Sequence, residues 1–166
     1  AKEGPPAIPF MRLLLPQADV NHNDGQVLCL VVHKAFHEGL DLLLTQRSIM
    51  PTMATKQRAF PYAMKIRDKQ SRYETIEKLL AAGVKGAALS ECLIKAVNDQ
   101  DLRLSELLLQ SGASVGHDGG KAVISAASSG DSSMLQLLVG GSYCKKPTLS
   151  TLTSGFGGAM VLKERD

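Results

Sequence analysis

The chain has 166 residues, 44% of them apolar and 21% charged, with three cysteines and a formal net charge of +3. No apolar run approaches the ~18–20 residues that cross a bilayer, the charge is too small on its own to argue for nucleic acid, and no secretory pattern opens the chain. Cys29, Cys92 and Cys144 are odd in number and widely spaced, which suits reduced thiols in a cytoplasmic or nuclear setting rather than a disulfide framework.

There is no Trp and there are only seven Phe or Tyr, so Leu, Ala, Val and Ile must fill the core, as thin helical layers allow. Ala1–Pro9, with three Pro, reads as a linker. From there a phrase recurs in which a large apolar residue is followed three and four positions later by two leucines: Met11/Leu14/Leu15, Leu40/Leu43/Leu44, Ile76/Leu79/Leu80, Leu104/Leu107/Leu108 and Met134/Leu137/Leu138. That spacing places each trio on one helix face. The intervals are 29, 36, 28 and 30 residues, and a near-constant period of about 30 marks a stacked repeat. Residues 10–166 thus read as one domain with units near 10–15 (half a unit), 18–46, 47–83, 84–112, 113–141 and 142–166 (a partial unit or cap).

The segments between phrases are patterned as well. Ala18-Asp19-Val20-Asn21-His22-Asn23-Asp24-Gly25-Gln26 aligns with Ala113-Ser114-Val115-Gly116-His117-Asp118-Gly119-Gly120-Lys121. Gly, Asn and Asp supply turns and helix caps there. A short inner helix follows, at about Gln26–Lys34 and Lys121–Ser129, then a tight turn, then a Leu-rich outer helix ending at Gly83, Gly112 or Gly141. Glycine at that place suits the residue after a helix C-terminus. The 36-residue interval carries six or so extra residues between Arg47 and Ser71. Pro61 fits the first turn of a helix running to about Asp68, and the next helix begins near Ser71 or Arg72. In the tail, Pro147-Thr148-Leu149 would open a fifth, shortened pair and Gly155 would turn it.

This grammar resembles the ankyrin repeat. Ala18-Asp19-Val20-Asn21 and Gly112-Ala113-Ser114-Val115 match its Gly-Ala-Asp-Val-Asn link, Asp24-Gly25 and Gly119-Gly120 its Asp-Gly turn, and Gly130-Asp131 with Leu135 and Leu137-Leu138 its outer helix. The chain is similar to the shortened, divergent repeats of filamentous-fungal proteins. The family's Thr-Pro-Leu-His start is absent, and three of four intervals fall below its usual ~33 residues, so short turns replace the projecting hairpins. Tetratricopeptide repeats are the rival, and their Trp and Pro-terminated helices are missing. The resemblance implies an all-α, or nearly all-α, solenoid of about four stacked helix pairs. It also implies a non-catalytic module that presents a concave surface to a protein partner.

Chemistry-bearing constellations are few. Cys29, His33 and His37 have the spacing to meet a metal on one helix, but the turn expected near Ala35 would separate His37. His117-Asp118-Gly119-Gly120-Lys121-Ala122 lacks the first Gly and the final Ser or Thr of a phosphate loop. Asp99 and Asp101 flank a turn, and Ser150, Thr151, Thr153 and Ser154 have no evident base. No enzyme activity, cofactor or metal is expected. The exception is the basic stretch Lys56, Arg58, Lys65, Arg67, Lys69 and Arg72, opposed only by Asp68 and interleaved with Phe60, Tyr62 and Tyr73. It lies in the lengthened unit, and insertions in repeats often map to a binding face. The expected partner-binding set is Lys56, Arg58, Tyr62, Lys65, Arg67 and Lys69, joined by His22, Asn23, Gln26, His117 and Lys121. An acidic protein is the expected partner. The alternatives are nucleic acid or phosphoinositide on the Lys56–Arg72 stretch, or a structural spacer. The chain starts at Ala1 without Met and stops in Lys163-Glu164-Arg165-Asp166, as a piece of a longer protein would.

Overall fold

The computed structural model describes residues 7–17, 19–45 and 50–140. Among these every element is helical: α1 (Ala7–Leu14), α2 (His22–His33), α3 (His37–Thr45), α4 (Met53–Ala63), α5 (Lys69–Ala81), α6 (Ala87–Asn98), α7 (Leu102–Gln110), α8 (Lys121–Ser129) and α9 (Ser132–Gly140). Short 3-10 turns follow α1 and precede α8. The chain divides into two compact units at Val84–Lys85. No helix among the described residues is long and apolar enough to cross a membrane. The predicted tail pair and the C-terminal Gly141 lie outside the described residues.

In the first unit α2 packs on α3 and α4, α4 on α5, and α1 on α3. In the second, α6 packs on α7 and α8, and α8 and α7 pack on α9. Both units hold pairs of an inner and an outer helix. The joint repeats to the hydrogen bond in α2–α3, α6–α7 and α8–α9, whereas α4 and α5 are joined without a left-handed residue. Ala35, Gln100 and Gly130 all turn left-handed, at φ of 51°, 52° and 67°. The next residue's N–H then reaches back five positions: Phe36 to Val31 O, Asp101 to Ala96 O, Asp131 to Ala126 O. Its own carbonyl accepts the first bond of the outer helix, from Leu40, Ser105 or Leu135. The ends of α5 and α7 are alike. Gly83 and Gly112 sit at φ of 92° and 94°, and Val84 and Ala113 donate back to Leu79 O and Leu108 O. This closing motif satisfies carbonyls that a helix end would otherwise leave bare.

These bonds also fix the register of the leucine phrases. Leu40 corresponds to Ser105 and Leu135, and Leu79 to Leu108. The phrases read at Leu104 and Met134 are therefore one residue out of step with those at Leu40 and Ile76. The cause is a fourth buried position, occupied by Leu104 (1% exposed) and Met134 (0%), which mimics the start of the phrase. In α3 that position is Gly39. A Cβ there would meet Phe36 Cδ1 at 2.4 Å. Where Asp101 and Asp131 cap α7 and α9 by accepting from Leu104 N and Met134 N, Phe36 instead lays its ring over Gly39. One aromatic side chain thus fills the space that a capping Asp and a bulky apolar residue share in the later pairs.

Two further expectations are corrected. Pro61 does not open a helix. It sits in the last turn of α4, which Thr52 opens by accepting from Thr55 N at 3.2 Å. Proline gives no N–H to the carbonyl four residues back, and α4 ends two residues later. The expected linker is helical from Ala7, because Pro9 falls in the first turn, where a missing N–H costs nothing. By contrast α8 spans the predicted residues, and α5 starts within two or three residues of the place expected.

Two outcomes follow from this packing. Gly39→Leu should destabilise the first unit by about 1–3 kcal/mol through collision with Phe36. Adding Phe36→Asp should recover most of that loss, and urea denaturation across the double-mutant cycle measures the coupling. Burial pushes the Cys92 thiol up to about 12. In a Cys29→Ser, Cys144→Ser background it should resist thiol reagents at pH 8 and label only as the chain unfolds. Because the native state holds that proton more tightly, its contribution to stability is full below about pH 8.5 and fades as pH climbs toward the folded value.

Candidate partner-binding groove

The aligned sequence segments fold alike. His22 N donates to Asp19 O (3.1 Å) and His117 N to Ser114 O (3.3 Å). Then three residues in a row take left-handed backbone: Asn23, Asp24 and Gly25 in one link, Asp118, Gly119 and Gly120 in the other, with φ between 51° and 79°. L-residues rarely do this in succession. All six are Asn, Asp or Gly, the types that tolerate it best. The turn brings its first residue back to the residue that opens the inner helix. Asn23 Nδ2 donates to Gln26 Oε1 at 2.8 Å, and Lys121 Nζ donates to Asp118 Oδ2 at 3.2 Å. His22 and His117 thus share a backbone role.

Each link is tied to a neighbouring inner helix. In the first unit Asn21 Oδ1 accepts from Thr52 N and from Thr55 Oγ1, both at 2.8 Å. Thr55 can approach because Gly25 has no Cβ. One built there would lie 2.1 Å from Thr55 Cγ2. In the second unit Ser114 N donates to Ser90 Oγ at 2.9 Å.

The first link and α4 enclose an open groove of about 390 Å³, lined by Asn23, Asp24, Gln26, Cys29, Arg58 and Tyr62. A depression of about 300 Å³ adjoins it, lined by Asn21, Asp24, Thr52, Ala54, Thr55 and Arg58. Asp24 and Arg58 form an ion pair that borders both. Tyr62 is 37% exposed, and the Lys65 ammonium stands 4.6 Å from its ring centroid, within cation–π range. Burial raises the Cys29 thiol above its ordinary value, and the Arg58 guanidinium offsets part of that rise. The thiol lines the groove, and the rise works against the reactive thiolate form.

Four of the sequence-picked residues, Asn23, Gln26, Arg58 and Tyr62, therefore meet in one place, with Lys65 beside them. Lys56 is turned inward, 8% exposed, and its ammonium donates to Ala82 O at the C-terminal end of α5 at 3.1 Å. Arg72 is buried as well, at 6% exposed. Arg67 and Lys69 are exposed on either side of Asp68, whose carboxylate caps α5 through Ser71 N and is held below its ordinary value by that bond. His117 and Lys121 occupy the matching link of the second unit. Sequence reasoning missed Asp24 as an ion-pair partner and Asn21 as an anchor. Both were visible only as turn residues. His33 and His37 lie on different helices, and no group of three His, Cys, Asp or Glu among the described residues is placed to hold a metal.

Asn21→Ala would leave the Thr55 hydroxyl and the Thr52 N–H without their acceptor. It should cost about 1–3 kcal/mol in chemical denaturation, while Asn21→Asp, which keeps an acceptor, should cost clearly less.

In comparison with known proteins, the chain matches no family model, no curated protein and no solved structure at a significant level.

Proposed function

We propose that the chain is a non-catalytic protein-binding module of ankyrin-like helix pairs, which takes an extended peptide segment of a partner in the groove between the first link and α4. The observation that carries this reading is the groove's make-up. An exposed aromatic ring, a guanidinium, a carboxylate and two side-chain amides converge on one helix-backed concavity. Tyr and Arg are the residues most often found as binding anchors, and a preformed surface spares the ordering cost of association. The amide pair can turn either its donors or its acceptors to a peptide backbone. Arg58 can exchange Asp24 for a partner carboxylate, which favours an acidic segment.

The distribution of cations supports a protein ligand over a polyanion. Of the six cations in the basic stretch, Lys56 and Arg72 are buried, Arg58 is paired with Asp24, and Lys65 stands over Tyr62. Nucleic-acid affinity rests on rows of cations free to meet phosphates, and that row is broken here.

Panning a random-peptide display library on the immobilised protein tests the reading. Enriched peptides should contain Asp or Glu and lose at least tenfold in affinity on Tyr62→Ala or Arg58→Ala. They should keep most of their affinity between 50 and 200 mM salt, a range over which phosphate-driven binding falls steeply. Asp24→Asn, which keeps a residue tolerant of left-handed backbone and releases Arg58, should tighten acidic peptides. No enrichment, or peptides indifferent to Tyr62 and Arg58, would overturn it. Steeply salt-dependent binding to DNA or phosphoinositide vesicles would favour the anion-binding alternative.

A further inference from the structure

Asp24 and Arg58 line both the groove and the depression beside it. Among the described residues they are the only charged groups that line either. The groove is otherwise lined by Asn23, Gln26, Cys29 and Tyr62, the depression by Asn21, Thr52, Ala54 and Thr55. Lys65 stands over the Tyr62 ring. A segment that runs from one concavity into the other therefore passes over this ion pair.

Both partners of the pair reach water. The Arg58 side chain is 54% exposed and that of Asp24 is 76% exposed. An ion pair at such a site is weak, because water and salt screen it. Its exchange for charges of a ligand costs little, provided that both partners are served.

Asp24 cannot withdraw to leave Arg58 alone with a ligand. It is the middle of three left-handed residues, at φ of 52°, 59° and 72°. Shortly before this turn Asn21 is tied to α4 through Thr52 N and Thr55 Oγ1. At its end Gly25 packs against the Thr55 methyl group. Two side-chain torsions are all the freedom that Asp24 keeps, so its carboxylate stays near the guanidinium. A ligand carboxylate on Arg58 would then make two carboxylates face one guanidinium. Like charges juxtaposed in an interface are costly. A ligand cation on Asp24 removes that cost. One internal ion pair is replaced by two intermolecular ones, and the site stays neutral.

Because Asp24 and Arg58 touch, the two ligand charges must arrive side by side. In an extended segment residues i and i+2 point to one face and i+1 to the other. An acidic and a basic residue separated by one position meet that demand.

We propose that the partner's segment carries a mixed-charge pair, Asp or Glu with Lys or Arg two positions away, the acid docking on Arg58 and the base on Asp24. This names the ligand class of the groove and rests on the peptide-binding function proposed above. Asp24 is the specificity-determining residue. It repels acidic runs and attracts mixed pairs, so discrimination comes from a repulsive element as well as an attractive one.

The test takes peptides enriched on the native protein that lose affinity on Tyr62→Ala. Each is made with a fluorescent label as found, with its base changed to Ala, and with its acid changed to Ala. Fluorescence anisotropy measures all three against the native chain, Asp24→Asn and Arg58→Gln. Removing the base should weaken binding to the native chain by about threefold or more, and to Asp24→Asn hardly at all. Removing the acid should give the same contrast between the native chain and Arg58→Gln. Asp24→Asn should leave the peptide as found nearly unchanged, since one internal and one intermolecular pair are lost together, and should tighten its base-free version. A variant that had merely lost its fold would weaken both. Equal cost of removing the base against the native chain and Asp24→Asn would overturn the proposal. So would peptides that depend on Tyr62 and Arg58 but carry an acid with no base two positions away. In either case peptide binding stands and only the mixed-charge pair falls, whereas the absence of any peptide dependent on Tyr62 would overturn both.

Discussion

Three successive left-handed residues set the entry of an inner helix, and the candidate groove depends on that step. A continuous right-handed entry would carry Asn23 and Asp24 along the helix axis. The left-handed turn folds them back, so that Asn23 meets Gln26 and Asp24 meets Arg58 on α4. The turn is costly for any residue with a Cβ, and here its last position is Gly25. That glycine also lets Thr55 come close enough to donate to Asn21. One small residue therefore serves the backbone of the turn and the packing of α2 on α4 together. In the second unit Gly120 holds the corresponding place, buried at the start of α8.

The helix-pair grammar was legible in the sequence because it rests on local chemistry. Glycines after the outer helices, Asn, Asp and Gly in the links, and leucines at helical spacing each report a conformation that few other residues favour. What escaped was whatever depends on contacts between segments distant in sequence. Gly39 and Phe36 look like lapses from the pattern until their side chains are seen to share one volume. Pro61 looks like a helix start because proline is common at both ends of helices. Only Thr52, nine residues earlier, shows which end it marks. The one-residue shift at Leu104 and Met134 has the same origin. Apolar spacing fixes a helix face more firmly than it fixes the starting point of a repeat.

The candidate site divides in the same way. Tyr62, Arg58, Asn23 and Gln26 could be picked out because residue type and an irregular stretch pointed at them. Their convergence could not be read, since Asn23 and Arg58 are far apart in sequence and are joined only through the packing of α2 on α4. The charges show the limit most sharply. A run of cations on paper suggests one positive surface, but a helix turns successive side chains through about 100° each. Lys56 and Arg58, two residues apart, are thereby sent to different fates.

Lys56 is the more instructive of the two. Its ammonium lies at the carbonyl end of α5, where the partial negative charge of a helix C-terminus favours a cation and where Ala82 O has no further helical turn to bond. Arg58 points into the groove and is met by Asp24 from the link. An ion pair at an exposed site contributes little to stability. Its consequence here is to keep the guanidinium placed and neutralised at no great cost, and under the proposed function a partner carboxylate would compete for it. A cation buried for architecture and a cation held ready by a weak partner count the same in net charge. Only the second is accessible for exchange, so any binding proposed for this stretch turns on which acids its cations face rather than on how many cations it has.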